Sequence, residues 1–238
     1  MIPDNVTAVL FDLDDTLCVY VAAAIRARRE ALADLAVPKF HLPLETIDKA
    51  YMNRFKEVRK LKDVEPWLSK YLKSGEPTRT ETFRLAFSDL GLEDAAFARQ
   101  VGDRYLELRE RYIELYPDAL PVLQALTPQY RLGIITNGPA DTQREEIRRL
   151  SIEGWFQTIL IEGEYGVGKP DASIFLEACR QMEARPRDAL FVGNSWEHDA
   201  MGAVGAGLCA VWLNRTGEER ERDDRVVEIR SLLELIPG

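Results

Sequence analysis

An apolar run that ends in crowded carboxylates constrains this chain most. Ala8-Val-Leu-Phe11 passes directly into Asp12-Leu13-Asp14-Asp15-Thr16. Like charges at a strand terminus repel, so such a run calls for a metal ion or a phosphate to handle. Side chains alternate along an extended chain, which puts Asp12 and Asp14 on one side and Leu13 on the other. Two carboxyls facing one space can divide labour, one as nucleophile and the other as proton donor. The competing reading is a strand that runs into an Asp-rich turn.

A chain of 238 residues can form one large domain or two modest ones. Hydrophobic and charged contents of 46% and 30% fit an ordinary globular protein. No apolar run is long enough to span a bilayer, and Met1-Ile-Pro-Asp-Asn5 lacks the basic start of a signal peptide. Cys18, Cys179 and Cys209 show no CxxC spacing, so neither a disulfide framework nor a zinc site is expected, and a reducing cytoplasm fits. The net charge of −9 argues against a nucleic-acid surface, though a small anionic substrate can be held where a local cation attracts it. No pattern in the chain specifies an oligomeric state.

The periodicity changes along the chain. From Val21 to about Tyr116 apolar residues recur at spacings of three and four, predicting helices over Val21–Ala36, Leu44–Leu61, Trp67–Leu72, Thr80–Leu90 and Asp94–Leu115. From Pro117 on, strands alternate with helices: strands at Tyr130–Thr136, Thr158–Ile161, Ala189–Val192, Ala210–Leu213 and Val226–Ile229, then a terminal helix. Alternation of this kind implies a doubly wound parallel sheet of the α/β class. The first strand joins that sheet, so the expected organisation is a Rossmann-like core over 1–19 and 117–238, with an all-helical cap domain over 20–116 inserted after the carboxylates. The cap is slightly basic and the core carries the negative excess, which suits a small phosphorylated metabolite.

Ligands of open parallel sheets bind outside the carboxyl ends of the strands, and polar clusters follow the other strands too. They are Thr136-Asn137-Gly138, Gly168-Lys169-Pro170 and Gly193-Asn194 through Asp199. Each alone has a bland reading, a turn, a surface lysine or a helix N-cap. Together they make chemical sense. A carboxylate cannot readily approach a phosphate dianion, and Mg²⁺ held by hard oxygen ligands from the aspartates removes that repulsion. Lys169 adds a fixed positive charge, Thr136 and Asn137 orient the phosphoryl oxygens, and Asp14 protonates the leaving alkoxide before activating water.

These residues resemble the motifs of the haloacid dehalogenase-like hydrolases, in the subgroup with a helical cap after the first motif. Asp12, Asp14 and Thr16 match the first motif, DxDxT; Thr136 with Asn137 matches the second; Lys169-Pro170 matches the third. The resemblance implies a phosphatase with Asp12 as nucleophile and Asp14 as acid/base. It also implies a Mg²⁺ shell drawn from Asp12, the main-chain carbonyl of Asp14, and the fourth motif. That motif usually reads GDxxxxD, whereas here it reads Gly193-Asn194 through Asp199. An amide oxygen ligates Mg²⁺ without charge, so weaker affinity is expected unless Asp199 contributes. The alternatives are a phosphomutase, a 2-haloacid dehalogenase, and a scaffold-like binding protein without activity. Asp14 disfavours the dehalogenase, which has no alkoxide to protonate, and retention of Asp12 disfavours the scaffold. Val211-Trp-Leu-Asn-Arg215 also recurs in this subgroup without an assigned role.

Overall fold

The computed structural model describes residues 2–236. The chain divides into two compact units: a sheet unit made of the chain up to Val19, Glu114–Gly138 and everything from Gln143 on, and a helical unit of Tyr20–Ile113 with Pro139–Thr142.

The sheet unit is built on β1 (Ala8–Phe11), β2 (Arg131–Thr136), β3 (Thr158–Ile161), β4 (Ala189–Gly193), β5 (Cys209–Leu213) and β6 (Val226–Ile229). They form a six-stranded sheet in the order β3-β2-β1-β4-β5-β6, with every neighbouring pair parallel. The α/β fold expected from the alternating pattern is present. β1 and β4 are buried throughout, which is why they read as continuous apolar runs rather than alternating ones. One face of the sheet packs Ala8, Leu10, Ile135 and Phe191 against Phe175, Ala178 and Met182. The order in which strands are added reverses between β1 and β4, whose parallel ends are in register (Phe11 beside Val192), so the crevice of a doubly wound sheet opens where Asp12 and Gly193 emerge.

The helical unit holds its own core, in which Tyr51, Phe83, Phe87 and Leu108 are buried with Ala27 and Ala98. Leu44–Leu61 forms one helix as expected, whereas Val21–Ala36 does not: the helix ends at Ala31 and passes through a π-helical turn, Leu32–Ala36. The boundary differs from the expected residue 116. Glu114–Tyr116 lie with the sheet unit because they pair with the chain leaving β1: Val19 N donates to Glu114 O at 2.8 Å and Tyr116 N to Leu17 O at 2.9 Å. The expected terminal helix is a single 3₁₀ turn, Leu232–Leu235, whose two buried leucines sit three residues apart, the repeat of that helix. Among the described residues no helix is long and apolar enough to cross a membrane.

Candidate active site

Beyond β1 the chain folds back on itself. Asp15 adopts a left-handed conformation (φ 58°), and the amides of Leu17 and Cys18 return to Leu13 O. This turn brings the Thr16 hydroxyl onto Asp12, donating to Oδ2 at 2.8 Å. The other Asp12 oxygen meets Lys169 Nζ at 2.7 Å, and Nζ reaches Asp199 Oδ1 at 2.7 Å as well. Asp12, Lys169 and Asp199 are 6%, 4% and 1% exposed, so a lysine buried between two carboxylates forms the centre of the site. Burying ions is costly unless they pair, and the pairing explains why all three tolerate the interior.

Burial, reinforced by Asp199, pushes the Asp12 pKa up to about 6 against the opposing pull of Lys169 and Thr16. Burial works against the Lys169 ammonium, but Asp12 and Asp199 outweigh it and hold its pKa above the ordinary lysine range. Cys18, buried among Asp14, Glu146 and Asp12, has its thiol pushed well up, chiefly by burial, which suits an inert packing residue.

Asp199 owes its position to a π-helical turn, Trp196–Ala200. The N-cap of that turn is Ser195, whose hydroxyl accepts from His198 N, so Asp199 is not the cap. Its carboxylate reaches back instead to Ser195 N at 2.8 Å and sideways to Lys169. Gly193 is required beneath it, since a Cβ there would collide with the Asp199 carboxylate.

Asn137 turns from the expected phosphate position to Lys169. Its Nδ2 donates to Lys169 O and its Oδ1 accepts from Lys169 N, both at 2.8 Å, a clasp that fixes the lysine's main chain. Thr136, 1% exposed, donates to Gln143 Oε1 at 2.7 Å, and Gln143 Nε2 lies 3.3 Å from Asp14 Oδ2.

Among the described residues no group of three or more His, Cys, Asp or Glu side chains is arranged to hold a metal. Mg²⁺ does not demand such a cage; it commonly takes one or two carboxylates and completes its octahedron with water and phosphate. The donors at hand are hard oxygens. Thr16 Oγ1 lies 2.8 Å from Asp12 Oδ2 and 3.4 Å from Asn194 Oδ1, so carboxylate and amide flank one hydroxyl. Asn194 N donates back to Thr16 Oγ1 at 3.0 Å. This donor set, a carboxylate and an amide oxygen, fits Mg²⁺ in kind, and the oxygens of Asp12 and of Asp199 all accept hydrogen bonds.

Sequence reasoning missed Gln143 and Glu146, which are 2% and 1% exposed. A signal was available: the helix Ala140–Arg149 has Ile147 as its lone large aliphatic, so its inward stripe has to include polar residues. In the helical unit, Arg54 and Tyr51 are engaged within the unit itself. Arg54 forms a two-pronged ion pair with Asp89, and Tyr51 packs 4.7 Å from Phe83.

A buried carboxylate paired with a buried lysine lies at the switch point of a doubly wound sheet, where such sheets bind their ligands. The family model for haloacid dehalogenase-like hydrolases matches residues 6–207, and the chain belongs to that family and is an enzyme. It is 30% identical over 222 residues to a glyceraldehyde 3-phosphate phosphatase of Methanopyrus kandleri, covering 92% of this chain and 88% of that one. It is 31% identical to the N-acylneuraminate-9-phosphatase of Mus musculus, covering 90% and 84%. Among solved structures, a 2-haloacid dehalogenase from Pseudomonas syringae pv. Tomato DC3000 superposes with a TM-score of 0.68 at 32% identity, covering 97% of this chain and 96% of that one.

Proposed function

We propose that the protein is a phosphatase that hydrolyses a small phosphorylated metabolite through a phosphoaspartate on Asp12. The Asp12–Lys169–Asp199 arrangement carries this reading: a buried carboxylate held by an ammonium and a hydroxyl, with a second carboxyl two residues on. An Asp12 oxygen attacks phosphorus, the ester P–O bond breaks, and Asp14 gives its proton to the leaving oxygen. Asp14 then takes a proton from water, which attacks the phosphoaspartate and releases inorganic phosphate. Lys169 and the Thr136 hydroxyl face the charge that builds on the phosphoryl oxygens. Asn137 and Asp199 act through Lys169, the first on its backbone and the second on its ammonium. Mg²⁺, bound by the Asp12 carboxylate, the Asn194 amide and the Asp14 carbonyl, would neutralise phosphate charge.

The curated relatives are named for small phosphorylated metabolites, which supports the substrate class. The likeness to a haloacid dehalogenase and the neutral Asn194 favour a second reading, halide displacement by Asp12. Asp14 argues against it, because halide leaves without a proton. Release of p-nitrophenol from p-nitrophenyl phosphate, with Mg²⁺ and with EDTA, separates the two when run beside halide release from a 2-haloacid. The phosphatase reading expects Mg²⁺-dependent phenol release, abolished in Asp12→Asn, and no halide. It also expects Asn194→Asp to lower the Mg²⁺ concentration for half activity. Halide release without phenol release would replace it with the dehalogenase.

A further inference from the structure

The helix Ala140–Arg149 directs a buried amide, Gln143, into the middle of the site. Space for it is made by Gly138, at φ +144°, where a Cβ would stand 3.0–3.2 Å from the Gln143 side chain. Gly138 is held in turn by Glu162, whose Oε2 accepts from Gly138 N at 2.9 Å. The neighbours of Gln143 fix which way its amide points. Oε1 accepts the Thr136 hydroxyl at 2.7 Å, while Nε2 faces Asp14 Oδ2 at 3.3 Å and Glu146 Oε2 at 3.2 Å. A flipped amide would set its oxygen against two carboxylates, so this orientation is imposed by chemistry.

The geometry points to Gln143 as a positioning residue for the Asp14 carboxyl, its own amide held at the other end by the Thr136 hydroxyl. The inference rests on the phosphatase reading and extends it to a residue outside the family motifs described above. An N–H donated to Asp14 Oδ2 limits rotation of that carboxyl, so the oxygen that delivers the proton keeps its aim. The Thr136 hydroxyl holds the other end of the amide by donating to Oε1 until substrate is bound. Glu146 takes an N–H of the same amide and thereby sets the amide plane. Gln143 acts through orientation, and its loss should show where proton delivery limits the rate. Esters of acidic phenols leave without a proton; alkyl esters do not.

The test is steady-state hydrolysis of p-nitrophenyl phosphate and of glycerol 2-phosphate, with Mg²⁺, by the wild type, Gln143→Met and Gln143→Asn. General acid catalysis contributes about 10²–10⁴-fold, so kcat for the alkyl ester should fall by about 10–100-fold in Gln143→Met. The aryl ester should lose less than about threefold, with KM for both esters unchanged. Gln143→Asn keeps the amide but is one methylene short of Asp14, and should give the same aryl/alkyl split even if the Met variant folds poorly. Circular dichroism checks that each variant is folded. Equal losses on both esters, a loss confined to KM, or no loss would overturn the positioning role. A wild type that hydrolyses neither ester would overturn the phosphatase reading itself.

Discussion

Asp12 is pulled two ways. Burial and the nearby Asp199 carboxylate favour its protonated form, Lys169 and Thr16 favour the ionised one, and burial wins, leaving the pKa at about 6. In the proposed mechanism Asp12 attacks in its ionised form, so kcat/KM should fall as pH drops through that value and level off above it. A cation at the same carboxylate stabilises the ionised form, so raising Mg²⁺ should move this acid limb to lower pH. Profiles at limiting and saturating Mg²⁺ check this, and a limb that stays in place would assign the titration to another group. Much of this residue-scale picture is legible from the chain. Asp12, Thr136, Lys169 and Asp199 follow strands of one sheet, and a parallel sheet delivers such positions to one edge. What each side chain bonds to is not legible in this way. Asn137 reads as a phosphate ligand and instead clasps the Lys169 backbone, because a turn sequence does not say which way its amide points. Gln143 and Glu146 look like the solvated polar residues around them, yet the helix turns them inward.

At the scale of elements, the exit of β5 explains a stretch whose role was open. Trp212 Nε1 donates to Asn194 O at 2.9 Å, and Arg215 donates to Thr16 O at 3.0 Å. One strand end therefore holds the main chains of two loops, and those loops meet where Asn194 N donates to Thr16 Oγ1. Arg215 is itself fixed, by two bonds of 2.9 Å to Asp118 and by stacking 3.9 Å above the Tyr116 ring. Burial raises the Asp118 pKa, but Arg215, Ser231 and Leu232 outweigh it, so the carboxylate stays ionised and the anchor charged. Arg215→Lys keeps the charge and loses the planar fork. Hydrogen bonds to charged groups are worth about 1.5–3 kcal/mol, so denaturant unfolding should show a loss of that order. kcat should fall for aryl and alkyl phosphates alike, because the anchor acts on Thr16 and through it on Asp12. Unchanged kcat in a destabilised variant would reduce Arg215 to a packing role. Val211–Arg215 stands out in the sequence, but its function depends on Thr16, 199 residues away, and no local pattern carries that. The π-helical turns escape for a similar reason: Trp196–Ala200 has the composition of an ordinary helix start, and tertiary demands on Asp199 select its wider winding.

For the molecule as a whole, the periodicity changes near residue 117, while the compact helical unit ends at Ile113. Helical spacing separates Tyr20–Ile113 from the alternating region because each encloses apolar residues of its own. The few residues at the seam follow hydrogen bonds instead. Glu114–Tyr116 continue past a helix and pair with Leu17–Val19, while Pro139–Thr142 join the helical unit, where Asp141 accepts from Ser74 Oγ at 2.6 Å and Gly75 N at 3.1 Å. Two cores imply that a core lesion is felt first in the unit that holds it. Phe83 is fully buried among Tyr51, Phe87 and Tyr105, with ring centroids 4.7–6.1 Å away. Phe83→Ala should cost about 3–5 kcal/mol by lost burial and the cavity left behind. Phe175, stacked edge-on to Phe191 at 5.1 Å, is the matching residue beneath the sheet. Scanning calorimetry should show the Phe83 lesion lowering one transition and the Phe175 lesion another, since a chain with two cores need not unfold in a single step. If both substitutions displaced one common transition by similar amounts, the two cores would be a single cooperative unit, and the helical insertion could not be treated as a domain in the thermodynamic sense.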